Sequence, residues 1–439
     1  MNISYLKQLK SHEGFKRYFS NTSWLFFDNG IRLVLGLVVG VWLTRYLGPQ
    51  QFGTYSYVIS FVGLFAALAP MGLDNIVVRD LVQKPKLKDV LIGTSFWLRI
   101  LGSLLLLFSL GIATFFTPVD FQTKSFIFIV GAAPIFQSFA VIDLYFQSRV
   151  QSKFVVLANL VALVISSIVK ISLIYLNAPL VWFFWILLAE SILIATGLIY
   201  SYSKVRESIF KWKFQLKTAK DLMKNSWPLI FSGLVISVYM KIDQVMIKQM
   251  LGDEQVGIYA AAVRLSEAWY FIPMLISSSL FAAIINAKKR SAELYHQRLQ
   301  KLFNLMVIIA LSIAVPVSVL NSQIVGFLYG DIYSPAGPVL AILSWSGVFL
   351  SLGVASSRWF IIENLQILSF VRTFFGMIIN IIMNFILIPR IGIQGAAIST
   401  LASQAIAAYF SDFLNSKTRS LFYMKSKSIF FISRTTFKI

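Results

Sequence analysis

Blocks of about twenty apolar residues recur along the whole chain, and as a helix each is long enough to cross ~30 Å of hydrocarbon. Of 439 residues, 57% are hydrophobic and 13% charged, about half the charge fraction usual for soluble domains. A globule of this size could not hide so much apolar surface. Both a soluble enzyme and a protein with a single membrane anchor are excluded.

Twelve blocks are legible, at 24–44, 54–73, 90–114, 125–147, 154–176 and 181–202, then 226–248, 257–286, 302–320, 335–361, 371–388 and 395–414. The first apolar stretch follows residue 23, and no small-residue cleavage site follows a short hydrophobic core. The chain carries 39 Lys+Arg against 18 Asp+Glu. The basic residues cluster in alternate short loops: 28 lie on one side, including Lys7, Lys10, Lys88, Lys204, Lys288, Lys425, Arg434 and Lys438. Only Arg45, Lys124, Lys248 and Arg390 lie on the other. This is the asymmetry that orients membrane proteins, and with an even number of spans it predicts both termini in the cytoplasm. It also accounts for the basic excess without a nucleic-acid partner. There is no cysteine, and His12 and His296 fall in expected loops with no metal-ligand spacing. No cofactor is implied.

The loop after the first block reads Leu47-Gly48-x-x-Gln51-x-Gly53-x-Tyr55, and the loop after the seventh reads Leu251-Gly252-x-x-Gln255-x-Gly257-x-Tyr259. The copies lie 204 residues apart, an offset at which Asn21 also meets Asn225. They predict two six-helix halves in parallel orientation, an architecture suited to rocking alternating access. The glycines suit a tight turn or close backbone approach. The expected fold is an all-α polytopic membrane protein of twelve helices in two lobes. The N-lobe is 1–203, a basic amphipathic connector 204–225 lies on the inner leaflet, the C-lobe is 226–414, and a basic tail runs over 415–439.

Ionisable residues inside spans are costly and mark function. Asp28 and Arg32 are four apart and Arg264 and Glu267 three apart, so each pair shares a helix face. Lys241 and Asp243, two apart, each need a partner elsewhere. Arg99, Lys170 and Lys241 have no acid at helical spacing, and Glu190 is placed to neutralise one of them. Arg358, Glu363 and Arg372 sit near span ends, where snorkelling explains them. A surplus of bases over acids predicts an anionic cargo, because arginine matches phosphate bidentately and lysine adds a point charge. Arg32, Lys241 and Arg264 are the expected diphosphate site, with Arg99 and Lys170 second. Asp28, Glu190, Asp243 and Glu267 are the candidates for coupling by protonation or cation binding. No G-x-x-x-x-G-K-[ST] loop is present, so no phosphate-loop ATPase is built in.

Residues 43–55, Gly72-Leu73 and Val77-Val78-Arg79-Asp80 resemble the opening of the Wzx-type polysaccharide flippases of the multidrug/oligosaccharidyl-lipid/polysaccharide superfamily. Lys241-Ile242-Asp243-Gln244, Gly257-Ile258-Tyr259 and Arg264-Leu265-Ser266-Glu267 are similar to that family's second copy. The resemblance implies a non-enzymatic transporter in the bacterial inner membrane. Its partners would be an undecaprenyl-diphosphate-linked oligosaccharide, the bilayer and the polysaccharide polymerase machinery, around a cationic cavity. The lipid II flippases of the superfamily have two further spans, which this chain lacks after Leu414. A cation-coupled drug exporter of the same fold is the alternative, and it predicts a net acidic cavity.

Overall fold

The computed structural model describes residues 13–430, which form helices and short turns with no strand among them. Lys7, Lys10, His12, Arg434 and Lys438 lie outside the described residues. The helices are α1 Glu13–Leu64, α2 Asp74–Gln83, α3 Lys88–Phe116, α4 Phe121–Gly131, α5 Ala133–Gln137, α6 Val141–Ser148, α7 Lys153–Tyr175 and α8 Val181–Lys204. There follow α9 Leu216–Leu251, α10 Asp253–Glu267, α11 Phe271–Arg290, α12 Ala292–Val319, α13 Asn321–Tyr329 and α14 Ala336–Ile362. The last are α15 Gln366–Ile391, α16 Ile393–Ala405, α17 Ser411–Leu414 and α18 Arg419–Ile429.

Ten of the described helical stretches are long and apolar enough to cross a membrane. The difference from twelve apolar blocks has local causes. The first block and most of the second fall in α1, which breaks at Gly48 (φ 65°, ψ 172°) before Pro49; the rest of the second block passes through a 3₁₀ turn, Ala66–Leu68. The last block is divided into α16, a π-helical turn at Ile406–Phe410 and α17, none of which is long enough alone. The fourth block is interrupted differently: Pro134 has no N–H to give, and the chain passes through α5 and a 3₁₀ turn before α6. His296, expected in a loop, sits in the first turns of α12.

Two compact units partition the chain. One holds the chain up to Tyr46 together with Val58–Ser237; the other holds Leu47–Tyr57 and everything from Val238 onward. The first unit's core is built from Leu73, Val77, Ile92, Val141, Phe146 and Tyr202. In the 204–225 segment a 3₁₀ turn, Ile209–Lys211, precedes residues 216–225, which are the start of α9. Trp212 packs on Phe96 at 5.3 Å between ring centroids, while Phe210 is exposed. The second unit's core joins Leu299, Phe303, Met306, Leu352 and Phe360 to Leu421 and Met424 of α18.

The exposed faces of the helices are apolar, and some helices turn a polar face inward. On α15 the buried face is Arg372, Gly376, Asn380, Asn384 and Ile388. Its exposed face carries Val371, Phe375, Ile378, Ile382 and Phe385. With lipid as solvent, outward apolar side chains cost nothing and polar groups turn to one another.

Within the second unit the two loop copies meet. Gly48 and Gly252 take positive φ of 65° and 89°, which supplies each turn. Gly53 and Gly257 serve close approach instead. A Cβ on Gly53 would run into the backbone of Asp253, and one on Gly257 into the carbonyl of Pro49 and, at 3.0 Å, the nitrogen of Gly53. Lys248 ion-pairs with Asp253 to close the second copy's turn. The repeat is thus a packed seam as well as a turn. Because the obstacles are backbone atoms, Gly53→Ala and Gly257→Ala are each expected to cost about 1–3 kcal/mol. In thermal unfolding of the detergent-purified protein both should melt well below wild type. Gly30→Ala, where a Cβ meets nothing within 4 Å, should not lower the midpoint.

Candidate functional site

In the second unit, three helices bring polar side chains to Asp243 on a fourth. Its carboxylate is buried on α9. It accepts from Asn384 Nδ2 at 2.6 Å, Thr400 Oγ1 at 2.5 Å and the Tyr259 hydroxyl at 2.8 Å. Asn380, one turn before Asn384 on α15, accepts that residue's second amide proton at 3.2 Å. Thr400 has a second acceptor in the Ala396 carbonyl at 3.0 Å, so its single proton is shared between two demands. Asn384 Oδ1 is buried with no hydrogen-bond partner among the described residues. No ion pair to Asp243 is present among the described residues, and its caging groups are all neutral. A buried carboxylate held by neutral donors alone keeps an uncompensated charge, which a proton or small cation can cancel.

A narrow cavity of about 30 Å³ adjoins it, lined by Asp243, Glu267, Tyr239, Tyr259, Tyr270 and Gln404 among others, with room for a water or two. Glu267 has Lys241 and Asp243 as its electrostatic neighbours rather than Arg264, the residue expected to share its face. Arg264 lies toward Tyr329.

The first unit solves the same problem with ion pairs. Arg99 is buried on α3 and paired with Asp74 of α2, with Asp143 of α6 also acting on it. These three line a cavity of about 400 Å³ with Gln137, Ser138 and Gln147. Lys170 of α7 meets Glu190 of α8 at 3.1 Å. Arg32 meets Asp28 at 3.3 Å, one turn apart on α1, with 41% of the arginine side chain exposed and 12% of the aspartate.

These pairs correct the expected surplus of positive charge. Arg99 and Lys170, without an acid at helical spacing on their own helices, find one on neighbouring helices, and the first-unit cluster of Asp28, Asp74, Asp143, Arg32 and Arg99 carries one more acid than base. Asp74 went unnoticed as a partner because it opens α2 outside the apolar blocks. Arg372 was expected to snorkel; it is buried instead, 3.9 Å from Asp412. The Asn380–Asn384 pair was visible as two amides four apart in an apolar helix, a spacing that a search restricted to charges passes over. Among the described residues no cluster of His, Cys, Asp and Glu could hold a multivalent metal.

Breaking a buried ion pair from one side strands a charge. Lys170→Met alone is expected to destabilise the protein by about 3 kcal/mol, and Lys170→Met with Glu190→Leu by clearly less. A double-mutant cycle on thermal unfolding in detergent checks this; strict additivity would contradict the pairing.

The family described as MatE matches residues 228–386. A probable low-salt glycan biosynthesis flippase of Haloferax volcanii is 26% identical over 252 residues, 53% of this chain and 52% of the relative. A probable flippase of the same organism is 27% identical over 263 residues, 56% and 51% of the two chains. The chain thus spans about half the length of the curated relatives it matches. Among solved structures, an inward-facing multidrug-resistance MATE transporter superposes with TM-score 0.74 at 16% identity, covering 90% of this chain and 96% of that one. The lipid II flippase MurJ, inward closed, gives TM-score 0.71 at 16% identity, covering 96% and 94%. These likenesses establish the fold. The family described as polysaccharide biosynthesis protein matches residues 19–285, well over half the chain and inclusive of both loop copies, and the chain belongs to that family.

Proposed function

We propose that the protein is a flippase that carries a polyprenyl-diphosphate-linked oligosaccharide, with undecaprenyl as the prenyl chain, from the inner to the outer leaflet of a bacterial cell membrane by alternating access. The observation that carries this reading is the family match over 19–285, a stretch that contains all nine charged candidates from Asp28 to Glu267. The flippase relatives support it. The reading includes twelve spans, with Gly48 dividing the first two and the π-helical turn inside the twelfth. It also includes both termini in the cytoplasm and lobes at 1–203 and 226–414 flanking a connector.

The mechanism follows from competition for cations. The guanidinium of Arg32 is partly exposed while its Asp28 partner is nearly covered. A phosphate oxygen can therefore take the open face of Arg32; Lys241 and Arg264 are the other cations proposed for the diphosphate. The carboxylates that hold these cations in the absence of cargo, Asp28 and Glu267, supply the competing interaction that release requires. Asp243 is the coupling group. A proton or monovalent cation entering its cage of Asn384, Thr400 and Tyr259 changes the charge balance around Lys241, and it drives transport only if it binds one conformation more tightly than the other. Arg99 and Lys170, committed to Asp74 and Glu190, hold the first unit together. The sugars and the polymerase that receives them set specificity elsewhere.

A second reading has its own support. The MatE match at 228–386 and the extra acid around Arg99 both suit a cation-coupled exporter of cationic drugs.

Deleting the gene separates the two. The flippase reading expects a lipid-linked oligosaccharide to accumulate on the inner leaflet, with unchanged sensitivity to cationic dyes; the exporter reading expects the reverse. Complementation with Arg32→Ala plus Lys241→Ala is expected to restore at most about a tenth of polymer export, because two charge-assisted phosphate contacts are lost. Wild-type export at normal protein abundance would remove these residues from the site.

A further inference from the structure

The second unit has a second pocket, with none of its lining residues shared with the cavity beside Asp243. It lies where the start of α15 meets the π-helical turn and α17, and has a volume of about 380 Å³. Its walls are apolar, chiefly Phe360, Val371, Phe375, Ile379 and Ile406, and its floor is Arg372 with Asp412. Arg372 is 8% exposed, with Nη2 3.3 Å from the Gly353 carbonyl and the guanidinium over the Phe360 ring at 4.4 Å. Its Nη1 is buried with no hydrogen-bond partner among the described residues, and the Asp412 carboxylate stands off at 3.9 Å.

Asp412 is already engaged. Lys425 of α18, fully buried, donates to it at 2.5 Å and to the Ala408 carbonyl at 2.6 Å. Burial pushes the Lys425 ammonium down to about 8, against the pull of Asp412, so it is mostly charged at neutral pH. Two cations therefore share one carboxylate, and the spare charge resides on the arginine that faces the cavity. Ser411, Asn415 and Thr418 add polar atoms beside it.

From this pocket the exposed apolar strip of α15 runs along the helix through Val371, Phe375, Ile378, Ile382 and Phe385. A cationic floor that lacks an acceptor, joined to an apolar track facing hydrocarbon, matches a molecule with an anionic head and a long chain. The surrounding end of the unit is basic. Lys288, next to Lys289 and Arg290, bonds Glu363 of the α14–α15 turn at 2.8 Å, which places that basic turn beside the start of α15.

We propose that this pocket binds the phosphodiester headgroup of an anionic membrane phospholipid, with Arg372 on the phosphate and one acyl chain along α15. Basic pockets between membrane helices select such lipids by charge.

The full-length protein, purified in detergent, is exposed to equal amounts of phosphatidylglycerol and phosphatidylcholine, and bound lipid is counted by native mass spectrometry. Phosphatidylglycerol should be retained about fivefold over phosphatidylcholine, the preference expected for one unshared basic residue. Ser411→Asp, which adds an anion beside Arg372 without removing it, should abolish the preference, as should Arg372→Leu if that variant folds. Lys211→Ala, an exposed basic change in the first unit, should leave it intact. Equal retention of the two lipids would overturn the proposal, and so would a preference that survives Ser411→Asp. Stabilisation by inorganic phosphate alone to the extent seen with phosphatidylglycerol would also overturn it, because that marks a free-anion site. Transport plays no part in these measurements, so the lipid site stands or falls separately from the flippase reading.

Discussion

Hydrocarbon accepts no charge without a partner, and that one constraint decides where nearly every ionisable side chain in this protein goes. Arg99 turns to Asp74, Lys170 to Glu190 and Lys425 to Asp412. Each pair ties a helix to the next one along the chain, so the pairs act as fasteners as well as neutralisers. Asp243 departs from the pattern. Its cage of Asn384, Thr400 and Tyr259 satisfies its lone pairs without balancing its charge. A group left in that condition inside a membrane helix bundle is matched most readily by something mobile, which is the ground for proposing it as the coupling group.

The two halves descend from one plan and have diverged in chemistry. The loop copies still pack backbone to backbone through Gly53 and Gly257. The helices that carry them hold different groups: α1 has a self-contained Asp28–Arg32 pair, whereas α9 sends Asp243 into an amide and hydroxyl cage. In the proposed mechanism the guanidinium on α1 is the group that exchanges its partner for a phosphate, and the carboxylate on α9 is the group whose charge is cancelled.

Architecture was largely legible in the residues, and partnerships were not. The apolar blocks mark the spans because hydrocarbon thickness sets a length, and the glycine repeat survives as an exact spacing. The Asp28–Arg32 pair could be read because it lies within one helical turn. Arg99 and Asp74 are 25 residues apart, and Arg372 and Asp412 are 40 apart, so those pairs depend on how helices pack. Periodicity carries no information on that. The supposed positive surplus arose in this way, since bases were counted inside the spans while two of their acids sat at helix ends. Asn380 and Asn384 were overlooked for another reason: being neutral, they carry no charge signal, although two amides on one face of an apolar helix are themselves costly and therefore informative.

The central claim is that the charge state of Asp243 couples transport to an ion or proton gradient. Its most direct test is flipping of a fluorescent lipid-linked oligosaccharide in proteoliposomes, with and without imposed sodium and pH gradients, for wild type and Asp243→Asn. The account predicts that a gradient accelerates the wild type about tenfold or more, a change of at least about 1.4 kcal/mol in the driving step. The neutral variant should fold and flip slowly at one rate under every gradient. An Asp243→Asn protein that responds to a gradient as strongly as the wild type would contradict it.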